Sequence, residues 1–213
     1  MDIHTPTTIR IRNILIFISA IMIIAACNKK EDYLNTSAFV SEKTINVVIE
    51  IPAGTNKKIE YNKVQKTFAI DKIEGIDRIK PYLPYPANYG FVPSTFSDPA
   101  VGGDGDPLDV LLIAESLPTG TVIEAIPIAM LRLVDEGEID DKIICIPADI
   151  SLRTVDASSI DEINKKYPKA LEILELWMTF NDVSENVLVN GYVDSEAAIT
   201  EIKVCEKAFK KNQ

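Results

Sequence analysis

Residues 45–51 read INVVIEI, an apolar and β-branched run interrupted once, by Glu50, and ended by Pro52. Such a run predicts a largely buried strand. A turn through Gly54 and Asn56 leads to a second strand over 58–62, and 67–70 predicts a third. Pro81, Pro84 and Pro86 then impose an extended, irregular path. Apolar residues return at 110–113, and 122–128, 129–134 and 142–146 continue the β pattern. Several short strands parted by turns predict a small closed barrel. The period changes in the C-terminal third, where Leu171, Leu174 and Met178 recur at helical spacing over 168–181, with Pro168 near the start. Residues 187–193 predict a further strand. Ser195 is placed to cap a last helix running to Lys210, with Ile199, Ile202 and Cys205 on one face. That stripe and Trp177 read as core, so the chain is mainly β with α, an α+β fold whose helices pack against the barrel.

The stretch 85–113, YPANYGFVPSTFSDPAVGGDGDPLDVLLI, breaks the pattern most sharply. Asp104, Asp106 and Asp109 fall within six residues, directly ahead of the apolar run. Alternation along a strand puts Asp109 on the face of Leu111 and Ile113, at the end of an apolar wall. Gly102, Gly103 and Gly105 allow unusual backbone angles, so the loop can turn three carboxylates toward one point. Two carboxylates about 4 Å apart repel by roughly 4 kcal/mol at an effective dielectric near 20. No basic residue lies between Tyr85 and Leu112 to offset this. A hard divalent cation held by oxygen is the natural partner, Mg²⁺ or Mn²⁺ before Ca²⁺. A calcium-binding EF-hand is excluded, because its sixth-position glycine and twelfth-position glutamate are missing and a strand follows where a helix should.

Charge and rare residues narrow the chemistry. Arg10 and Arg12 precede an apolar run over 14–26 broken only by Ser19, then Cys27. The run is too short for a stable membrane span and has the layout of an export signal. Ile24-Ala25-Ala26-Cys27 resembles a bacterial lipobox, which implies cleavage after residue 26, lipid on Cys27, and a place in the periplasm or at the cell surface. Residues 28–43 read as a polar tether, about 55 Å long if fully extended. The chain left after cleavage carries a formal charge of −11, which disfavours nucleic acid. Its only histidine, His4, lies in the leader, so Ser-His-Asp, Cys-His and histidine-ligated metal chemistry are excluded. Cys145 and Cys205 read as buried free thiols, with a disulfide in an oxidising compartment as the open alternative.

Charges inside strands stand out next. Glu50 interrupts VVIEIP, Lys58 and Glu60 share a face, Asp135 and Asp140 flank a turn, and Lys142 opens the following strand. Together with the three aspartates they make a barrel mouth rich in acids, with a few bases among them.

DGDPLDV fits the pattern Asp-x-Asp-Pro-apolar-Asp-apolar, and the chain resembles the family I soluble inorganic pyrophosphatases from VVIEIPAGTNKKIEY through DR, YPANYGFVPST and GGDGDPLDVLL to DEGEIDDK. The resemblance covers nearly all of 44–210 and implies a distorted five-stranded OB-type barrel, with Mg²⁺, or Mn²⁺ or Zn²⁺ in its place, as cofactor. It implies that Asp104, Asp109, Asp135 and Asp140 ligate the metals and that Asp106 activates a metal-bridged hydroxide. Glu50 and Glu60 would act in the outer shell. Lys58, Arg78, Tyr89 and Lys142 would hold pyrophosphate, and Tyr85 would support the pocket. A homo-oligomer is also implied.

Three departures mark this chain. The segment between Glu60 and Tyr85 is long, so Lys72 competes with Arg78 for the phosphate role. Phe180-Asn181 stands where the family carries a Tyr-Lys pair, removing a hydroxyl and a charge. Loss of each charge-assisted contact is worth on the order of 1.5 to 3 kcal/mol, which implies a weaker enzyme. The leader is the third departure. Two alternatives stay open: a non-catalytic metal- or polyanion-binding lipoprotein, and a hydrolase of another phosphoanhydride such as short polyphosphate or a nucleotide.

Overall fold

The computed structural model describes residues 31–213, so the segment expected to be a leader and Cys27 lie outside the described residues. In chain order the strands are β1 (Ile45–Ile51), β2 (Ile59–Asn62), β3 (Thr67–Ile70), β4 (Lys72–Ile73), β5 (Ile76–Asp77), β6 (Asn88–Phe91), β7 (Asp109–Leu112), β8 (Val122–Asp135), β9 (Glu138–Ile139), β10 (Lys142–Pro147) and β11 (Val187–Asp194). The helices are α1 (Ile160–Lys166), α2 (Ala170–Phe180) and α3 (Ser195–Lys211). Strand ladders run β1-β6-β7-β10-β8, and β8 pairs back onto β1, so five strands close a ring. This is the OB-like barrel expected. β7 and β10 are its one parallel pair, and β11 extends the outer half of β8.

Ring closure depends on β8. The sequence pattern divides it into two segments, whereas the structure runs one strand of 14 residues through Pro127. Pro127 lacks an amide donor, and the ladder to β10 slips there, leaving Ile128 without a partner between Pro127 and Ala129. A bulge is where a strand tolerates proline and bends. The first half of β8 therefore serves β1 and the second half serves β11.

Apolar residues alternate between two clusters on opposite faces of the strands. Val110, Leu112, Ile143 and Cys145 pack with Ala198, Ile202 and Cys205 of α3. Leu111, Ile144 and Ile146 pack with Ile163, Leu171 and Leu174 of α1 and α2. Cys145 and Cys205 are buried free thiols.

Three local expectations change. α1 was not anticipated, because seven residues with one buried apolar side chain, Ile163, carry little period. The cap of α3 is Asp194, whose carboxylate accepts from the Ala197 amide, one residue ahead of Ser195. From Asp32 on, the segment read as a tether is folded onto the barrel. Tyr33 packs edge-on against Tyr61 and Phe68, Ala38 is fully buried, and the Asn46 amide donates to the Ala38 carbonyl. The hydroxyl of Ser94 also donates to the Leu34 and Thr36 carbonyls.

Candidate active site

Glu50 reaches the barrel mouth through a bulge. Val48 pairs with Phe91 and Ile49 with Gly90, but the next partner of Tyr89 is Ile51, so Glu50 is the extra residue. A bulge re-aims the side chain it carries. The Glu50 carboxylate accepts from the Tyr61 amide at 2.6 Å, tying β1 to β2. Gly90 permits this crossing, since a Cβ there would fall on the Val48 carbonyl.

The aspartate loop is pinned from several sides. Thr95 Oγ1 accepts from the Leu108 amide, the Ser97 amide donates to the Asp106 carbonyl, and the Gly105 amide donates to the Ser97 carbonyl. Gly102 and Gly105 adopt the left-handed backbone expected of them, while Gly103 is needed for space, because a Cβ would strike the Ser97 carbonyl. Asp104 accepts from the Asp106 amide at 2.9 Å. The Ile139 amide donates to the Gly102 carbonyl at 2.7 Å, drawing the β8–β9 turn with Asp135 and Asp140 toward this loop.

Register completes the centre. Lys142 pairs with Asp109 across the parallel ladder, and Tyr89 pairs with Leu111, two residues along from Asp109 on the same face. The Tyr89 hydroxyl and the Lys142 ammonium both donate to Asp109, and Lys142 also pairs with Asp140. The result is a cavity of about 440 Å³ lined by Glu50, Lys58, Glu60, Lys63, Tyr89, Asp104, Asp106, Asp109, Asp135, Glu136, Glu138, Asp140 and Lys142. Lys58 pairs with Glu60 at 3.1 Å, and Lys63 pairs with Asp106.

Dehydration and crowding of like charge shape the acidity here. Burial pushes Glu50 up to about 8 against the Tyr61 amide, with the Asp109, Glu60 and Asp106 charges adding to it. Burial also lifts Asp104, and it pushes Asp140 up to about 6 in spite of the Lys142 ammonium. Burial pulls Lys142 down, but the carboxylates of Asp109 and Asp140 outweigh it and hold the ammonium above the ordinary lysine value.

The donor set suits a hard divalent cation, being oxygen throughout. Asp135 Oδ1 is buried without a hydrogen-bond partner, an acceptor that a cation would satisfy. Among the described residues no three His, Cys, Asp or Glu side chains stand ready to hold a metal ion. Lysines occupy Asp106, Asp109 and Asp140, so these carboxylates would have to exchange ammonium partners to meet a cation.

A second cavity of about 80 Å³ adjoins the first. It shares Lys58, Tyr89, Asp135, Asp140 and Lys142, and adds Lys80, Tyr85, Trp177, Met178, Asn181 and Glu185. Tyr85 packs tilted by 44° against Trp177, with ring centroids 4.3 Å apart, and edge-on at 5.7 Å to Tyr89. The Trp177 indole donates to the Leu83 carbonyl. Asn181 is buried with its amide on the Trp177 and Met178 carbonyls, whereas Phe180 is half exposed.

Most of the residues singled out from sequence thus line one or both cavities. Arg78 does not. The long segment forms a hairpin, β4–β5, closed at its base by the Arg78 amide on the Asp71 carbonyl. The Arg78 guanidinium is engaged by Asp71 at 3.0 Å and Glu185 at 3.3 Å, and Lys72 is paired with Asp77 out on the hairpin. Lys63, Lys80, Glu136, Glu138 and Glu185 escaped the sequence reading. Glu136 and Glu138 neighbour Asp135 in sequence, which was signal enough, but nothing local distinguishes Lys80 or Glu185.

Comparison with known proteins supplies independent findings. Residues 47–210 match the family model described as inorganic pyrophosphatase. An inorganic pyrophosphatase of Synechocystis sp. is 36% identical over 169 residues, covering 78% of this chain and 92% of that protein. One from Neisseria meningitidis serogroup A is 47% identical over 115 residues, covering 54% of this chain and 59% of the relative's length. The crystal structure of an inorganic pyrophosphatase from Neisseria gonorrhoeae superposes with a TM-score of 0.69 at 32% identity, over 84% of this chain and 99% of that one.

Proposed function

This chain belongs to the inorganic pyrophosphatase family, and from that premise we propose that it is a Mg²⁺-dependent inorganic diphosphatase that hydrolyses pyrophosphate to two phosphates. The observation that carries this reading is the cavity in which the carboxylates of Asp104, Asp106, Asp109, Asp135 and Asp140 meet Lys58, Lys63 and Lys142. Asp104, Asp109, Asp135 and Asp140 would hold the cations. When bound, these would offset phosphate charge and acidify ligated water. Asp106, on the exposed loop, takes a proton from the attacking water as its oxygen bonds to phosphorus and the bond to the bridging oxygen breaks. Glu50 and Glu60, on the cavity wall, would hold water beside any bound cation. Lys58, Tyr89 and Lys142 bind phosphate oxygens, and Tyr85, wedged between Tyr89 and Trp177, keeps the second cavity shaped. Arg78 acts through Glu185, its 3.3 Å partner.

The division of the centre supports this reading. Asp106 lines only the larger cavity, so the attacked phosphoryl group sits there and the leaving phosphate beyond the shared wall. The test is phosphate release by the purified protein with Mg²⁺, Mn²⁺ or Zn²⁺ and with EDTA, with tripolyphosphate and a nucleoside triphosphate as rival substrates. Metal-dependent turnover with pyrophosphate preferred is expected. A folded, metal-binding protein inert toward pyrophosphate would sink the reading. A homo-oligomer belongs to the same reading and is checked by light scattering.

The leader supports a lipid-anchored form outside the cytoplasm, attached through Cys27. Labelling with a palmitate analogue should mark the wild-type protein and not Cys27→Ser, and equal labelling would refute it.

A further inference from the structure

Lys80 is the one lysine of the second cavity that the acidic cavity does not share. It is buried, 7% exposed, and its backbone is fixed by its amide donating to the Asn56 carbonyl at 2.8 Å. Its ammonium faces Glu185 at 3.4 and 3.5 Å and Asp182 at 3.9 Å. Charge-assisted bonds ordinarily close to about 2.7–2.9 Å, so these partners hold it loosely. By contrast, Lys142 is 2.7 Å from Asp109 and is also paired with Asp140. A dehydrated ammonium with loose partners is poorly explained as a structural ion pair, since a buried charge needs close ones. Burial lowers its proton affinity, which Glu185 partly restores. Asn181, across the same cavity, contributes no charge, and its amide is committed to backbone carbonyls.

We propose that Lys80 is a substrate-binding residue of the leaving-phosphate compartment, its ammonium taking a phosphate oxygen and Glu185 serving as its resting counter-ion. The proposal rests on the diphosphatase reading above. It places at Lys80 the positive charge that Phe180-Asn181 does not provide, by a route that comes from a different part of the chain. Arg78, which donates to the Glu185 Oε1 that Lys80 also contacts, keeps that carboxylate in position when Lys80 turns to the anion.

The experiment titrates inorganic phosphate into the Mg²⁺-loaded full chain by calorimetry, beside steady-state hydrolysis of pyrophosphate. Lys80→Gln should weaken phosphate binding about tenfold and raise KM similarly, and Lys80→Arg should recover most of both. Unchanged phosphate affinity in a folded Lys80→Gln protein, with only a lowered Tm, would overturn the proposal in favour of a structural ion pair. Should Lys80→Gln not fold, Glu185→Gln decides: release of Lys80 should tighten phosphate several-fold, and unchanged or weaker binding overturns the proposal. Absence of pyrophosphate turnover in the wild type strikes the underlying reading instead, while the phosphate titration still reports on Lys80.

Discussion

The two adjoining cavities share a wall of five residues yet differ in charge. Nine carboxylates face three lysines in the larger one, whereas three face three in the smaller. Repulsion among the carboxylates therefore disfavours an anion in the larger cavity without cations, whereas in the smaller one the lysines balance the carboxylates. Lys142, 1% exposed, lines both and offsets part of the charge of Asp109 and Asp140. On the proposed reading the carboxylate-rich side would hold metal and the lysine-balanced side phosphate, joined through the shared wall, and hydrolysis of a phosphoanhydride needs both side by side.

The largest effect that would test this division belongs to Asp106→Asn. Loss of a general base typically lowers kcat by about 10²–10⁴. Asp106 reaches only the larger cavity, so phosphate affinity should stay near wild type while turnover collapses. Parallel loss of both, measured by calorimetry and phosphate release, would show that the compartments do not act separately.

Lys142→Met attacks the shared wall. Removing one partner from a buried ion pair typically destabilises by about 3–5 kcal/mol. Denaturant unfolding in EDTA should show a loss of that order. Mg²⁺ should restore more stability to the variant than it adds to the wild type, because a cation replaces the missing ammonium between Asp109 and Asp140. Equal Mg²⁺ stabilisation of both proteins would count against cation binding at these carboxylates.

Asn181→Lys sharpens the contrast from the other side. Asn181 ends α2 and lines the smaller cavity, a helix C-terminus that favours a cation. A single new charge-assisted contact is worth roughly 1.5–3 kcal/mol, so phosphate should bind at least several-fold more tightly, with metal affinity unchanged. Tighter metal binding instead would be the wrong outcome.

The pH dependence is the smallest effect. Glu50 is pushed up to about 8 and Asp140 up to about 6, so at pH 7 the metal-free site retains protons that a cation must displace. Metal affinity should rise from pH 6 to 8, by at most about tenfold per unit for each proton released, and level off above. Stability of the metal-free protein runs the other way. A carboxyl raised on folding contributes fully below its unfolded value and loses that contribution as pH climbs through the folded one, so Glu50 makes the metal-free protein less stable between about pH 4.5 and 8. Calorimetry in buffers of different ionisation heat would detect the released protons, and their absence at pH 7 would contradict the dehydrated environment of Glu50.

Residues whose placement is written locally were legible. The β-branched run around Glu50, the Asp104-Asp106-Asp109 loop, the Asp135–Asp140 turn and the helical stripe of α3 each carry their own pattern, since burial alternates with period 2 or 3.6. Weak local signals failed: α1 is too short to show a period, Pro127 disguised the continuity of β8, and 32–43 looked polar although Tyr33 and Ala38 pack on the barrel. The Arg78 side chain went astray for a related reason, because a short hairpin shifts what sequence spacing alone would align.

By itself, then, the sequence determined an α+β chain rich in carboxylates and without a histidine in residues 31–213, because composition and short-range periodicity survive without knowledge of contacts. Only the tertiary structure decided that the barrel closes through a bent β8, that a bulge aims Glu50, and that Lys80 meets Glu185 across 105 residues of chain. Those are matters of register and long-range packing, in which one residue of slip moves a side chain to the opposite face, and no local pattern encodes them.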